Sequence, residues 1–204
     1  MSTVHAERLR AKQGQPTWEA VPFLPPQGYW SEEEYLSLDG NRVVEFTDGY
    51  LEVLPMPTLS HQMIVLYLYR ALLGFVEAGQ LGKVVVAAYP VHVRPGAYRE
   101  PDVVFFLAEH AARASEQFAE GADLVMEVVS PGGRERDLEL KRDEYAAAGI
   151  SEYWIVDPKL ARITVLRLEG DHYAVHGEFK PGERASSALL SGFTVDVAAA
   201  LAAK

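Results

Sequence analysis

The chain has 204 residues, 49% of them hydrophobic and 24% charged, an ordinary globular mix at a length that suits one domain and excludes two full-sized ones. Nineteen lysines and arginines against 29 aspartates and glutamates leave a net charge of −10, which repels nucleic acid and membranes unless a local basic patch or bound cations oppose the field. The lack of cysteine excludes disulfides, thiolate zinc sites and thiol nucleophiles, so any metal site must use oxygen or imidazole ligands.

Residues 1–28 are polar and then proline-rich, without the apolar stretch of a secretory signal, and are read as a flexible N-terminal arm before a single domain over 29–204. A cytoplasmic location is the expectation, and no uninterrupted apolar run approaches the roughly 18 residues of a membrane span. Ser31 followed by Glu34 is a capping-box pattern that predicts a short helix to about Leu38. Arg42–Phe46 and Tyr50–Leu54 are β-rich runs joined through Asp48-Gly49, a strong hairpin signal. Apolar residues on more than one face from Ser60 to about Ala78 predict a long, largely buried helix, with Ser60 as its cap.

Strands are then expected at Lys83–Tyr89, Val91–Arg94, Asp102–Leu107 and Asp123–Val129. An amphipathic helix follows over Arg136–Ala148, closed by Gly149. After it come strands at Glu152–Val156, Arg162–Leu168 and Tyr173–Phe179, and a last helix from about Val195. The order predicts one α/β domain built on a central mixed β-sheet flanked by helices.

Two acids stand where apolar residues belong. Glu127 interrupts Leu124–Val129, a run apolar on both faces as in a central strand, and a buried carboxylate needs a cation, a donor or a proton. Asp102 opens the otherwise apolar strand after Pro101. Neighbouring strands lie about 4.8 Å apart, which brings such carboxylates within reach of one divalent cation, and hard oxygen ligands suit Mg²⁺, with Mn²⁺ as a substitute. The bland alternatives are an ion pair or exposed edge for Glu127 and a turn residue for Asp102. Lys141 shares a helical face with Asp137 and Tyr145; the alternative there is a solvent-facing Asp137–Lys141 pair worth a few tenths of a kcal/mol.

These residues carry a resemblance. Pro101-Asp102, Glu127 and a nearby lysine resemble the PD-(D/E)XK nuclease superfamily. Val43–Gly49, Ser60-His61, Pro101–Val104, Glu127–Pro131, and the series Asp137, Lys141, Tyr145, Gly149 and Glu152–Pro158 are similar, in that order, to the Uma-two family of restriction-endonuclease-like proteins. The superfamily's lysine stands two residues after the acid, where this chain has Val129; the resemblance implies that Lys141 replaces it from the following helix.

The resemblance further implies a restriction-endonuclease-like fold and hydrolysis of phosphodiester bonds in nucleic acid, DNA first, by a metal-activated water. Asp102, Glu127 and the Val128 carbonyl would hold Mg²⁺, and Lys141 would steady developing negative charge. Glu45, a lone acid in Val43–Phe46, would support the ion; its alternative is the exposed face of a hairpin. His61, at the start of the long helix, is read as a proton shuttle or phosphate contact, or as a histidine satisfied locally. Arg134 and Arg136 are candidates for holding substrate phosphate. Tyr145 is a further candidate, with packing on the sheet as its alternative. A basic rim from Arg94, Arg99, Arg134, Arg136, Lys141 and Arg142 would answer the acidic balance. A homodimer is expected, since many such nucleases must reach two strands. The competing reading is an inactive binding or regulatory module of the same fold.

Overall fold

The structure, a computed structural model, describes residues 24–38, 43–130 and 135–204, the side chains of 135–138 excepted. Arg134 and the side chains of Arg136 and Asp137 therefore lie outside the described residues, as does most of the expected arm. The packed chain begins by Leu24, which joins the cluster around Trp30, Tyr35, Phe46 and Tyr98, and Gln27 exchanges two hydrogen bonds with the backbone of Leu51.

Helix α1 (Glu32–Leu36) carries the expected capping box, Ser31 accepting from Glu34 N–H and the Glu34 side chain returning to Ser31. Strands β1 (Val44–Thr47) and β2 (Tyr50–Val53) form the hairpin. Asp48 and Gly49 both have positive φ, 47° and 87°, as a tight primed turn demands. A Cβ on Gly49 would stand 2.7 Å from the Gly28 carbonyl, so glycine is required there twice over.

The long helix α2 (Leu59–Gly79) is capped by Thr58 rather than Ser60. It is long and apolar enough to cross a membrane by length and composition, yet Ile64, Val65, Leu68, Leu72 and Val76 are buried in the protein's own core. There follow β3 (Gly82–Val86), β4 (Val91–Arg94), β5 (Ala97–Arg99), β6 (Val103–Leu107), a 3-10 turn (Ala108–Arg113), β7 (Ala119–Glu120) and β8 (Leu124–Val128). Helix α3 (Glu135–Ala147) leads to β9 (Glu152–Asp157), β10 (Arg162–Glu169), β11 (His172–Phe179), β12 (Arg184–Ser186), β13 (Thr194–Asp196) and α4 (Val197–Leu201).

The central sheet has six strands in the order β11-β10-β9-β8-β6-β3, antiparallel except for the β8/β9 pair. A second sheet, β2-β1-β5-β4-β7, stands beside it. Period-two alternation sorts the central strands between two cores. Val103, Phe105, Leu124 and Met126 face α2. Val104, Phe106 and Val125 face Tyr145, Ala146 and Ile150 of the α3 segment, together with Val91, Val93 and Ala97 of the second sheet. By the same count Asp102 and Glu127 belong to the α3 side.

Glu152, 0% exposed, opens β9, and its carboxylate is answered by neutral donors. Trp154 Nε1 (2.6 Å), Ser187 Oγ (2.7 Å) and the backbone N–H groups of Ala188 and Leu189 donate to it. That carboxylate fastens the C-terminal segment to the sheet.

Candidate active site

Register creates the site. In the β6/β8 ladder Val103 stands opposite Met126, so one step further Asp102 meets Glu127 across antiparallel strands, where facing Cβ atoms are about 5 Å apart. Asp102 Oδ2 accepts the Val128 N–H at 2.7 Å. In the β1/β5 ladder Phe46 stands opposite Tyr98, so Glu45 likewise faces Arg99. Helix α3 crosses between these strand ends, and Lys141 and Tyr145, four residues and about one turn apart, reach down together.

Lys141 Nζ lies 2.9 Å from Oε1 of both Glu127 and Glu45, and the Tyr145 hydroxyl donates to Glu127 Oε1 at 2.7 Å. The exposed Asp137–Lys141 ladder is thereby excluded for the lysine, whose side chain is 14% exposed. Burial opposes its charge, but Glu127 and Glu45 outweigh burial and hold the ammonium above its ordinary pKa. Glu127 feels burial plus two like-charged neighbours, Asp102 and Glu45, against one ammonium, and is pushed up to about 7. Both partners rise because the lysine faces two carboxylates while Glu127 shares one cation.

His61 stands at the start of α2 with Nε2 3.0 Å from the Val128 carbonyl and 3.3 Å from Asp102 Oδ2. Burial lowers its pKa, and Asp102 and the Val128 carbonyl reverse that to a net rise. A single Nε2–H lies between both oxygens, while among the described residues Nδ1 is buried without a partner. Glu45, buried rather than on an open hairpin face, also takes the Glu100 N–H at 3.4 Å and lies 3.8 Å from Arg99.

Sequence reasoning missed the frame around these groups. Arg99, expected on a basic rim, is 3% exposed; its fork takes both oxygens of Glu144 at 2.7 Å and it also donates to the Phe46 carbonyl and Thr47 Oγ1. The pair ties α3 to the strands that carry Glu45, and 45 residues of separation hid it from any local pattern. Glu100, also unsuspected, is pushed up to about 7, first by burial and then by Glu45. Tyr145 is 0% exposed with its hydroxyl given to Glu127, so its place is inside the cluster rather than against substrate. Arg142 donates to the Tyr173 carbonyl, so Arg99 and Arg142 do not stand on the expected rim, whereas Arg94 pairs with Asp48 at the surface.

Among the described residues no three His, Cys, Asp or Glu side chains gather as a complete metal-ligand set. The donor chemistry still fits a hard divalent ion that keeps most of its waters. Asp102, Glu127 and Glu45 outnumber the lysine among them. The donors among the described residues concentrate on Asp102 Oδ2 and Glu127 Oε1, not on Asp102 Oδ1 and Glu127 Oε2.

A mixed sheet whose adjacent strand ends carry two carboxylates, with a lysine delivered from the next helix, defines the restriction-endonuclease-like class. The chain matches the Uma-two (Uma2) family, described as "Putative restriction endonuclease", over residues 32–198, and it belongs to that family. Its fold is similar to the crystal structure of "a putative nuclease belonging to DUF820" from Anabaena variabilis. The TM-score is 0.69 at 17% identity, covering 83% of this chain and 97% of that one. No curated protein matches the chain.

Proposed function

We propose that the chain is a metal-dependent nuclease that hydrolyses phosphodiester bonds, with DNA as the first substrate to test. The observation that carries this reading is the convergence of Asp102, Glu127 and Lys141 at neighbouring strand ends, where the lysine arrives from α3 although the strand position holds Val129. Asp102 and Glu127 would hold Mg²⁺ or Mn²⁺, with the Val128 carbonyl as a further oxygen. When bound, the ion would lower the pKa of a water and stabilise charge on the phosphate.

The chain's own residues prepare for that chemistry. Val128 N–H and His61 aim Asp102, and Tyr145 and Lys141 fix Oε1 of Glu127. Lys141 keeps its proton and supplies a permanent positive charge beside the reacting phosphate. Glu45 holds the lysine in place, and Arg99 with Glu144 holds the strand ends against α3.

The low exposure of the cluster, 16% for Asp102 and 11% for Glu127 side chains, favours the competing reading of buried ion pairs in a binding module. Thermal unfolding with and without Mn²⁺ separates the two. Wild type is expected to gain about 2.7 kcal/mol at a hundredfold excess over the dissociation constant, with the gain lost in Asp102→Asn and Glu127→Gln. A wild type indifferent to Mn²⁺ rejects the metal-dependent reading. A metal response then justifies a cleavage screen with Lys141→Ala as the control.

A further inference from the structure

Beyond Lys141, at the C-terminal end of α3, the protein opens a cleft of ≈ 480 Å³. His92 and Arg94 of β4, Arg113 of the 3-10 turn, Glu120 and Gly121, and Gly149 past the helix line it. The cleft lies within the usual size range of small-ligand sites and has two arginines among its lining residues.

Neither guanidinium is committed deeply. Arg94 forks Asp48 at 3.0 and 2.9 Å, but the side chains are 39% and 60% exposed, and solvent screens exposed pairs strongly, so the fork exchanges partners readily. Arg113 stands 3.7 Å from Asp123, beyond hydrogen-bonding distance. Asp123 already accepts the Leu107 N–H at 2.8 Å and pairs with His110 Nδ1 at 2.7 Å. One carboxylate lines the cleft as well, Glu120, its side chain 62% exposed. Glu120 bonds His92 Nδ1 at 2.7 Å, and the Glu144, Tyr145 and Ala146 carbonyls at the end of α3 take the N–H groups of Ala148, Ile150 and Gly149. Among the described residues His92 Nε2 is buried without a partner.

Two loosely held arginines that line one cleft can offer planar forks to the tetrahedral oxygens of a phosphate group. Ala148 follows Lys141 by seven residues, about 10 Å along the helix axis, which is the rise of roughly three nucleotides of one strand. We propose that this cleft is a phosphate subsite for a polynucleotide strand lying along α3, gripped by Arg113 and Arg94 about three nucleotides from the Asp102–Glu127–Lys141 cluster. The proposal rests on the nuclease reading and adds to it the place where an acidic protein receives its anionic substrate.

The test is binding of a fluorescein-labelled single-stranded 12-mer to the full chain in EDTA, followed by anisotropy over a salt series. Inorganic phosphate serves as the second probe, and melting temperature and Mn²⁺ response are the fold controls. Arg113→Ala and Arg94→Ala should each weaken oligonucleotide binding about tenfold and lower the slope of log affinity against log salt by about 1, with the Mn²⁺ response retained. Arg113→Lys should recover the salt slope but less of the affinity. Unchanged affinity and slope in both alanine variants overturn the subsite and leave the nuclease reading, which answers to the Mn²⁺ experiment, where it stood. Phosphate that stabilises wild type but not Arg113→Ala, without oligonucleotide binding, assigns the cleft to a small phosphate compound and overturns the strand assignment. No response to either probe overturns the proposal outright.

Discussion

Replacing Lys141 by methionine tests whether the ammonium is the electrostatic centre of the carboxylate cluster. Its Nζ is 2.9 Å from both Glu127 and Glu45, and at an effective dielectric of about 20 each contact is worth roughly 6 kcal/mol before desolvation. Burying the ammonium cancels most of that. Removing one partner of a buried pair nevertheless costs about 3–5 kcal/mol, because the remaining charge is stranded. In Lys141→Met, Glu127 would keep the Tyr145 hydroxyl, and Glu45 would keep only the Arg99 contact at 3.8 Å and the long Glu100 N–H bond. For a chain of this length the loss corresponds to roughly 6–20 °C in melting temperature. The assay is thermal and urea unfolding at pH 8 and pH 5. The loss should shrink at pH 5, where Glu127 takes up a proton, and Glu127→Gln should recover part of it in the methionine background. A loss below about 1 kcal/mol at pH 8, or one independent of pH, refutes the argument and returns Lys141 to the solvent-facing role its helix pattern also allowed.

Four further outcomes follow from the same geometry. Glu127, pushed up to about 7 from 4.5, binds more protons folded than unfolded. Its contribution to apo stability is therefore fully present below about pH 4.5 and is lost as pH rises through about 7, and Glu127→Gln should flatten that decline in urea titrations. The same proton competes with metal, so Mn²⁺ affinity measured calorimetrically should fall about tenfold per pH unit below 7; a pH-independent affinity would remove Glu127 from the ligand set. Glu152→Gln places an amide N–H₂ among donors and should cost about 3 kcal/mol or more by urea unfolding, against near-neutrality if the carboxylate were only a strand end. Arg99→Lys keeps charge but loses the fork on Glu144 and should destabilise by about 1–3 kcal/mol, whereas wild-type stability would show that the bidentate pair does not hold α3.

Much of the architecture was legible because it is written in local periodicity. Ser31 with Glu34, the Asp48-Gly49 turn, the apolar run of α2 and Gly149 past α3 are features whose physics spans a few residues. Glu127 in an apolar strand announced itself in the same way, since burying a charge is costly wherever the strand lies. The sequence could not say what answers that charge. Lys141 has equally good local reasons to face Asp137, and only the crossing of α3 over the ends of β1 and β8 turns it inward.

Local patterning specifies the helices, the longer strands, their order and the acids that needed explaining, because helix and strand periods and turn chemistry act between near neighbours, whereas the two- and three-residue strands β5, β7, β12 and β13 are too short to show a period and go unread. Tertiary structure alone decided that Asp102 meets Glu127 through the β6/β8 register, that Arg99 is buried on Glu144 instead of lining a rim, and that Tyr145 serves Glu127. It also decided that Arg94 and Arg113, 19 positions apart in the numbering, share one cleft. Those pairings are set by strand register and helix placement, which minimise stranded charge over the whole fold, and no local pattern encodes them.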